Sequence, residues 1–96
     1  MALFVLTCID KPNSLALRMA TREAHFAYAN SQPAGTIRLG GPFLDANGDM
    51  AGSLIIVEVA DEAAARAFNR DDPYQKAGLF ERVDIRPWRA TFGELP

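Results

Sequence analysis

The chain holds one histidine, His25, and one Asp-Pro-Tyr run, Asp72-Pro73-Tyr74, and these are its residues best suited to proton chemistry. Imidazole is the only side chain whose unperturbed pKa, about 6.5, lies near neutrality. A carboxylate bonded to one ring nitrogen fixes the tautomer, stabilises the imidazolium and leaves the other nitrogen to exchange protons with a ligand. With no nucleophile beside it, an Asp72–His25 pair suits general acid/base transfer. Arg22, one turn before His25 on a helix, offers a positive anchor for a carboxylate or enolate. Ser53 offers a hydroxyl to a ligand oxygen, while Gly41, Pro42 and Tyr74 are candidate pocket walls.

Each of these residues also has a purely structural reading. Asp72 at N-cap, Pro73 at N1, Gln75 at N3 and Gly78 at C′ would cap and close a helical turn, an N-cap being worth roughly 0.5–2 kcal/mol. His25 reads equally as a partly buried, hydrogen-bonded helix residue, Arg22 as a solvated cation, and Ser53 as the start of a strand. Tyr74 and Trp88 read as core or pocket-wall aromatics. Capping uses only part of a carboxylate's acceptor capacity, so the structural and chemical roles of Asp72 are compatible.

Ninety-six residues, 49% hydrophobic and 23% charged, fit a single soluble domain spanning 1–96. A net charge of −2 gives no electrostatic case for nucleic acid or an anionic membrane. The apolar run from Met1 to Leu6 is too short for a secretory leader or a membrane span, so a cytoplasmic location is expected. Cys8 is the only cysteine, which rules out an intrachain disulfide and the usual zinc spacings and leaves core filling. No Gly-x-Gly-x-x-Gly, Walker A or His-Glu-x-x-His pattern occurs, so no cofactor and no metal are expected.

The elements that must position these groups follow from apolar periodicity. Leu3 to Ile9 and Leu54 to Val59 are apolar at both parities, as in strands covered on both faces. Ser14 to about Ser31 is helical, but Leu15, Met19 and Phe26 share one side while Leu17, Ala24 and Tyr28 lie nearly opposite. That disagreement predicts a break, with Thr21 capping a second helix from Arg22 to Asn30 that turns Ala24, Ala27 and Tyr28 to the core. Thr36 to Leu44 is extended, with Gly40-Gly41 suggesting a bulge, and Asn47-Gly48 is a hairpin signal leading into a strand from Met50 to Val59. Asp61 caps an alanine-rich helix to Asn69 with Ala64, Ala67 and Phe68 inward, and Phe80 to Phe92 is the last extended segment.

The order β-α-β-β-α-β is that of an α+β ferredoxin-like fold, with two helices on one face of a four-stranded antiparallel sheet. The other face of that sheet is apolar and has no element left to cover it, which predicts a homodimer packed sheet to sheet. The assembled residues resemble the YciI-like family. The similarity runs through Asp10-Lys11-Pro12, Leu17-Arg18 leading to Arg22 and His25, Gly41-Pro42, and the hairpin before Gly52-Ser53. It continues through Asp72-Pro73-Tyr74 with Ala77-Gly78-Leu79-Phe80, and Ile85-Arg86-Pro87-Trp88. Glu23 departs from it, since relatives often place proline there. The resemblance implies a dimeric α+β barrel with an active site centred on His25 and Asp72. The function expected from the Asp-Pro-Tyr run combined with His25 is a small cofactor-independent enzyme acting on a small organic acid by lyase, dehydrochlorinase or isomerase chemistry, the last two by analogy with enzymes of related type. A non-catalytic dimeric module that binds a small ligand or accompanies a larger enzyme is the alternative.

Overall fold

Apolar residues at both parities of two segments form the two central strands of the sheet. In the computed structural model, which describes all 96 residues, β1 (Ala2–Asp10) and β3 (Met50–Val59) pair antiparallel, from Ala2 opposite Val59 to Ile9 opposite Gly52. β2 (Ile37–Leu44) adds to the free edge of β3, and β4 (Phe80–Pro87) adds antiparallel to β1, giving the order β2-β3-β1-β4. The helices are α1 (Leu15–Ser31), α2 (Glu62–Arg70) and the single turn α3 (Pro73–Lys76). This is the expected ferredoxin-like β-α-β-β-α-β plan with one added turn before the last strand.

Strand alternation sorts the sheet residues. Phe4, Leu6 and Cys8 of β1 with Ile55 and Val57 of β3 point to the helices, and Ala65, Phe68, Tyr74, Leu79 and Phe80 complete the core. Leu3, Val5 and Ile9, with Leu54 and Ile56, fall on the opposite face, where Leu39 pairs with Ile56. Gly52 is a close-approach residue: a Cβ there would run into the carbonyl oxygen of Cys8 on the neighbouring strand.

Several local expectations are corrected. α1 is one unbroken 17-residue helix, and Thr21, rather than capping, returns its hydroxyl to the Leu17 carbonyl at 2.8 Å. Ala24 and Ala27 are exposed; the side turned inward carries Arg18, His25 and half-buried Tyr28 and Ala29 instead. The apolar residues Leu15, Met19 and Phe26 do share a side, and it faces outward. The pattern misled because the inward face of this helix is polar, so the hydrophobic stripe does not mark the packed side. In α2 the fully buried alanine is Ala65, with Ala64 and Ala67 half-buried beside it. Register shifts flank Gly40-Gly41, between Ile37 and Leu39 and between Phe43 and Leu44, so the glycines themselves lie in the ladder. The last strand ends at Pro87, and Trp88 is largely exposed rather than a pocket wall.

Cys8 is core filling, as expected. Burial, helped by the charge of Asp72 and opposed by Arg18, pushes its thiol from an ordinary 9.0 up to about 12. Burial likewise raises the phenols of Tyr28 and Tyr74 above their usual 10.0. All three groups keep their protons longer folded than unfolded, so the stabilisation is complete below pH 9 and is lost as pH rises towards 12. Urea unfolding midpoints are expected to be level from pH 7 to 8.5 and to fall steadily above pH 9, and iodoacetamide to leave Cys8 unmodified in the folded chain.

Candidate active site

α3 is a single turn defined at both ends by its sequence. Asp72 caps it, accepting the Tyr74 N–H on Oδ1 at 2.9 Å, and Pro73 stands at the first helical position. Gly78, at φ +75°, donates to the Gln75 carbonyl while Leu79 N–H returns to Tyr74, a Schellman closure. The expected exchange from Gln75 is not made; its side-chain oxygen instead takes a 3.4 Å bond from Asn69. The turn thereby holds both the Asp72 carboxylate and the Tyr74 ring in the protein interior.

α1 brings the histidine to that turn. His25 Nδ1 lies 2.9 Å from the same Asp72 oxygen that caps Tyr74. Because that oxygen is an acceptor, Nδ1 carries the hydrogen, an assignment made from the bonding pattern. Nε2 has no partner within the chain, and no polar side-chain atom is buried unpaired, so Nε2 is open to a ligand. The imidazole is stacked on Tyr74, centroids 4.1 Å apart and planes 15° from parallel.

A cavity of about 210 Å³ opens beside this pair, between α1 and the β2–β3 side of the sheet. Six of the seven residues singled out in the sequence line it: Arg22, His25, Gly41, Pro42, Ser53 and Tyr74. Asp72 stands behind His25, buried, and does not line the cavity. Arg22 has no ion-pair partner; its guanidinium rests 4.6 Å from the centroid of the Phe26 ring at the exposed rim. Ile37, Ile55, Phe26 and Ala29 complete apolar walls. No group of three metal-ligating side chains comes together.

Arg18, part of the family resemblance but not among the expected site residues, is the buried cation of the site. Its Nε and Nη2 bond both oxygens of Asp10, at 2.7 and 2.9 Å, and Nη2 also reaches Ser53 Oγ at 2.9 Å. Burial alone pulls the guanidinium's proton affinity down, but the bonds to Asp10 and its charge outweigh this and hold it above the ordinary value. The signal for it was the spacing 18, 22, 25, 29, one face of a continuous helix. A break at Thr21 would divide that stripe between two helices; the continuous helix keeps it whole.

A ferredoxin-like domain with a histidine–aspartate pair on the wall of a small, cationic-rimmed cavity is therefore the class that fold and site define. The chain matches the model of the YCII-related domain family over residues 2–89 and belongs to that family. Among its relatives is Protein YciI of Escherichia coli, 34% identical over 97 residues, covering 94% of this chain and 99% of the relative. A solved structure of 5-chloro-2-hydroxyhydroquinone dehydrochlorinase from Burkholderia phenoliruptrix, in complex with 2,5-dihydroxybenzoquinone, superposes with a TM-score of 0.84 at 36% identity. The match covers 91% of this chain and 93% of that one. An antibiotic biosynthesis monooxygenase homologue from Bacteroides thetaiotaomicron shares the fold alone, with a TM-score of 0.60 at 15% identity, 99% of this chain and 93% of that one being covered.

Proposed function

We propose that this protein is a small cofactor-independent enzyme that moves protons on a planar, acidic organic molecule, in an elimination or an isomerisation. The observation that carries the reading is the 2.9 Å His25–Asp72 contact on the wall of a cavity whose rim holds the unpaired Arg22. His25 Nε2 takes a proton from a carbon next to a carbonyl, and the electron pair moves into an enolate. Asp72 stabilises the imidazolium, while Arg22 and the Ser53 hydroxyl hold the developing oxyanion. In an elimination the enolate reforms the carbonyl as a leaving group on the next carbon departs with its bonding pair, and the imidazolium gives up its proton to that anion or to water. In an isomerisation the imidazolium returns the proton to a different carbon. A cavity of about 210 Å³ suits a single ring with few substituents better than a drug-sized ligand. The dehydrochlorinase relative, crystallised with a hydroxylated benzoquinone, supports a substrate of this kind.

His25 is the only histidine, so its ring signals are unambiguous in an NMR titration. Adding 2,5-dihydroxybenzoquinone is expected to shift the His25 ring resonances saturably, and Arg22→Met to weaken binding by roughly ten-fold, the scale of one charge-assisted bond. Titration that leaves the ring signals unmoved, across this compound and a panel of small planar organic acids, would favour a non-catalytic module.

The reading includes a homodimer, since Leu3, Val5, Ile9, Leu39 and Leu54 lie on the sheet face that no helix covers. Light scattering at micromolar concentration is expected to give twice the chain mass, and Val5→Lys to give the monomer. A stable monomer of the unmodified chain removes this part of the reading.

A further inference from the structure

The ring of Tyr74 touches two flat groups of α1. The Arg18 guanidinium carbon lies 4.5 Å from its centroid, and the His25 imidazole is stacked on it at 4.1 Å. Residues 18 and 25 lie two helical turns apart on one face of α1, so both side chains can reach the same ring. Tyr74 is buried against them. Its backbone N–H is held by Asp72, whose same oxygen takes the His25 Nδ1–H. Asp10 holds the guanidinium at two points and Ser53 at a third, which restrains the plate formed by Arg18.

We propose that Asp10 and Arg18 are positioning residues for His25, acting through the ring of Tyr74, which they press into register with the imidazole. A single hydrogen bond from Nδ1 to Asp72 leaves a histidine free to rock about that bond. Stacking against a ring that is itself clamped removes the freedom and aims Nε2 at one place in the cavity. Arg18 thus serves the site without needing to meet a ligand, which distinguishes it from Arg22 on the same helix face. The grip is also economical in charge: Asp10 neutralises Arg18 within the interior, so a rigid planar group is held beside the base at no cost in net buried charge.

The proposal rests on His25 being the group that moves protons, yet it is tested without substrate, so its failure and the failure of the proposed activity are separable. In the full-length ¹⁵N-labelled protein, the His25 Nδ1–H is expected to exchange slowly with solvent. The two sides of the Tyr74 ring are expected to give separate resonances, because a clamped ring flips slowly. The double variant Asp10→Asn with Arg18→Met removes both charges together, and Arg18→Lys keeps the charge but loses the planar fork. Either variant, shown folded by circular dichroism, is expected to speed Nδ1–H exchange roughly ten-fold and to merge the Tyr74 signals. Tyr74→Phe, which keeps the ring, is expected to retain slow exchange. Wild-type exchange rates in either folded variant would overturn the proposal. So would fast flipping of Tyr74 in the unmodified protein, a result that needs no variant at all.

Discussion

His25→Ala is expected to lower kcat/KM by about 10²–10⁴-fold on the substrate that the protein turns over, the usual contribution of a positioned general base. Asp72→Asn should cost about as much, for a different reason. The amide still offers one oxygen to the Tyr74 N–H and to the Nδ1–H, so the α3 cap and the tautomer can survive, but it lacks the negative charge that stabilises an imidazolium. Measured together, the two losses should be far from additive, because both substitutions disable one unit. Arg22→Met, by contrast, should raise KM more than it lowers kcat if its main part is to hold a ligand anion in the ground state. Steady-state kinetics on the folded variants decide the matter: unchanged kcat/KM in both His25→Ala and Asp72→Asn would eliminate the dyad.

Arg18→Met is expected to destabilise the fold by about 3–5 kcal/mol, since it leaves the Asp10 carboxylate buried without its cation. Both side chains of the pair are almost wholly enclosed, at 3% and 5% exposure, so solvent cannot make good the loss. Adding Asp10→Asn to Arg18→Met should recover most of that energy, as two neutral groups of similar shape no longer demand compensation. The coupling is read from chemical denaturation of the two single variants and the double. Equal loss in the double and in Arg18→Met alone would show that packing, rather than the unpaired carboxylate, carries the effect. The surface pair of Arg66 with Glu62, also at 2.9 Å, should contribute at most about 1 kcal/mol, because both groups are largely in water.

How much could be read beforehand differs from element to element. The apolar runs from Leu3 to Ile9 and from Leu54 to Val59 specify central strands, because apolar residues at both parities fit the interior of a sheet better than its edge. Asn47-Gly48, with Gly48 at φ +81°, determines the turn between β2 and β3, since a positive φ is cheap only without a Cβ. Asp72, Pro73 and Gly78 determine both ends of α3, capping being a local matter of which group can reach which orphan N–H or carbonyl. In α1 the apolar periodicity does not mark the packed face. Its inward side is polar because it lines a cavity, and a hydrophobic pattern cannot distinguish a helix that breaks from one that turns functional groups inward.

At the site, residue type alone determined that His25 and a carboxylate were the groups able to move protons near neutrality, since no other side chain of this chain has the required affinity. What only the tertiary structure decided is their meeting. Forty-seven residues separate His25 from Asp72, and their contact depends on where the sheet sets α1 against α3. The same holds for Asp10 with Arg18 and Ser53, which three different elements bring together. Sequence spacing governs neighbours along one helix or strand; the 2.9 Å that makes a carboxylate orient an imidazole is set by packing between elements.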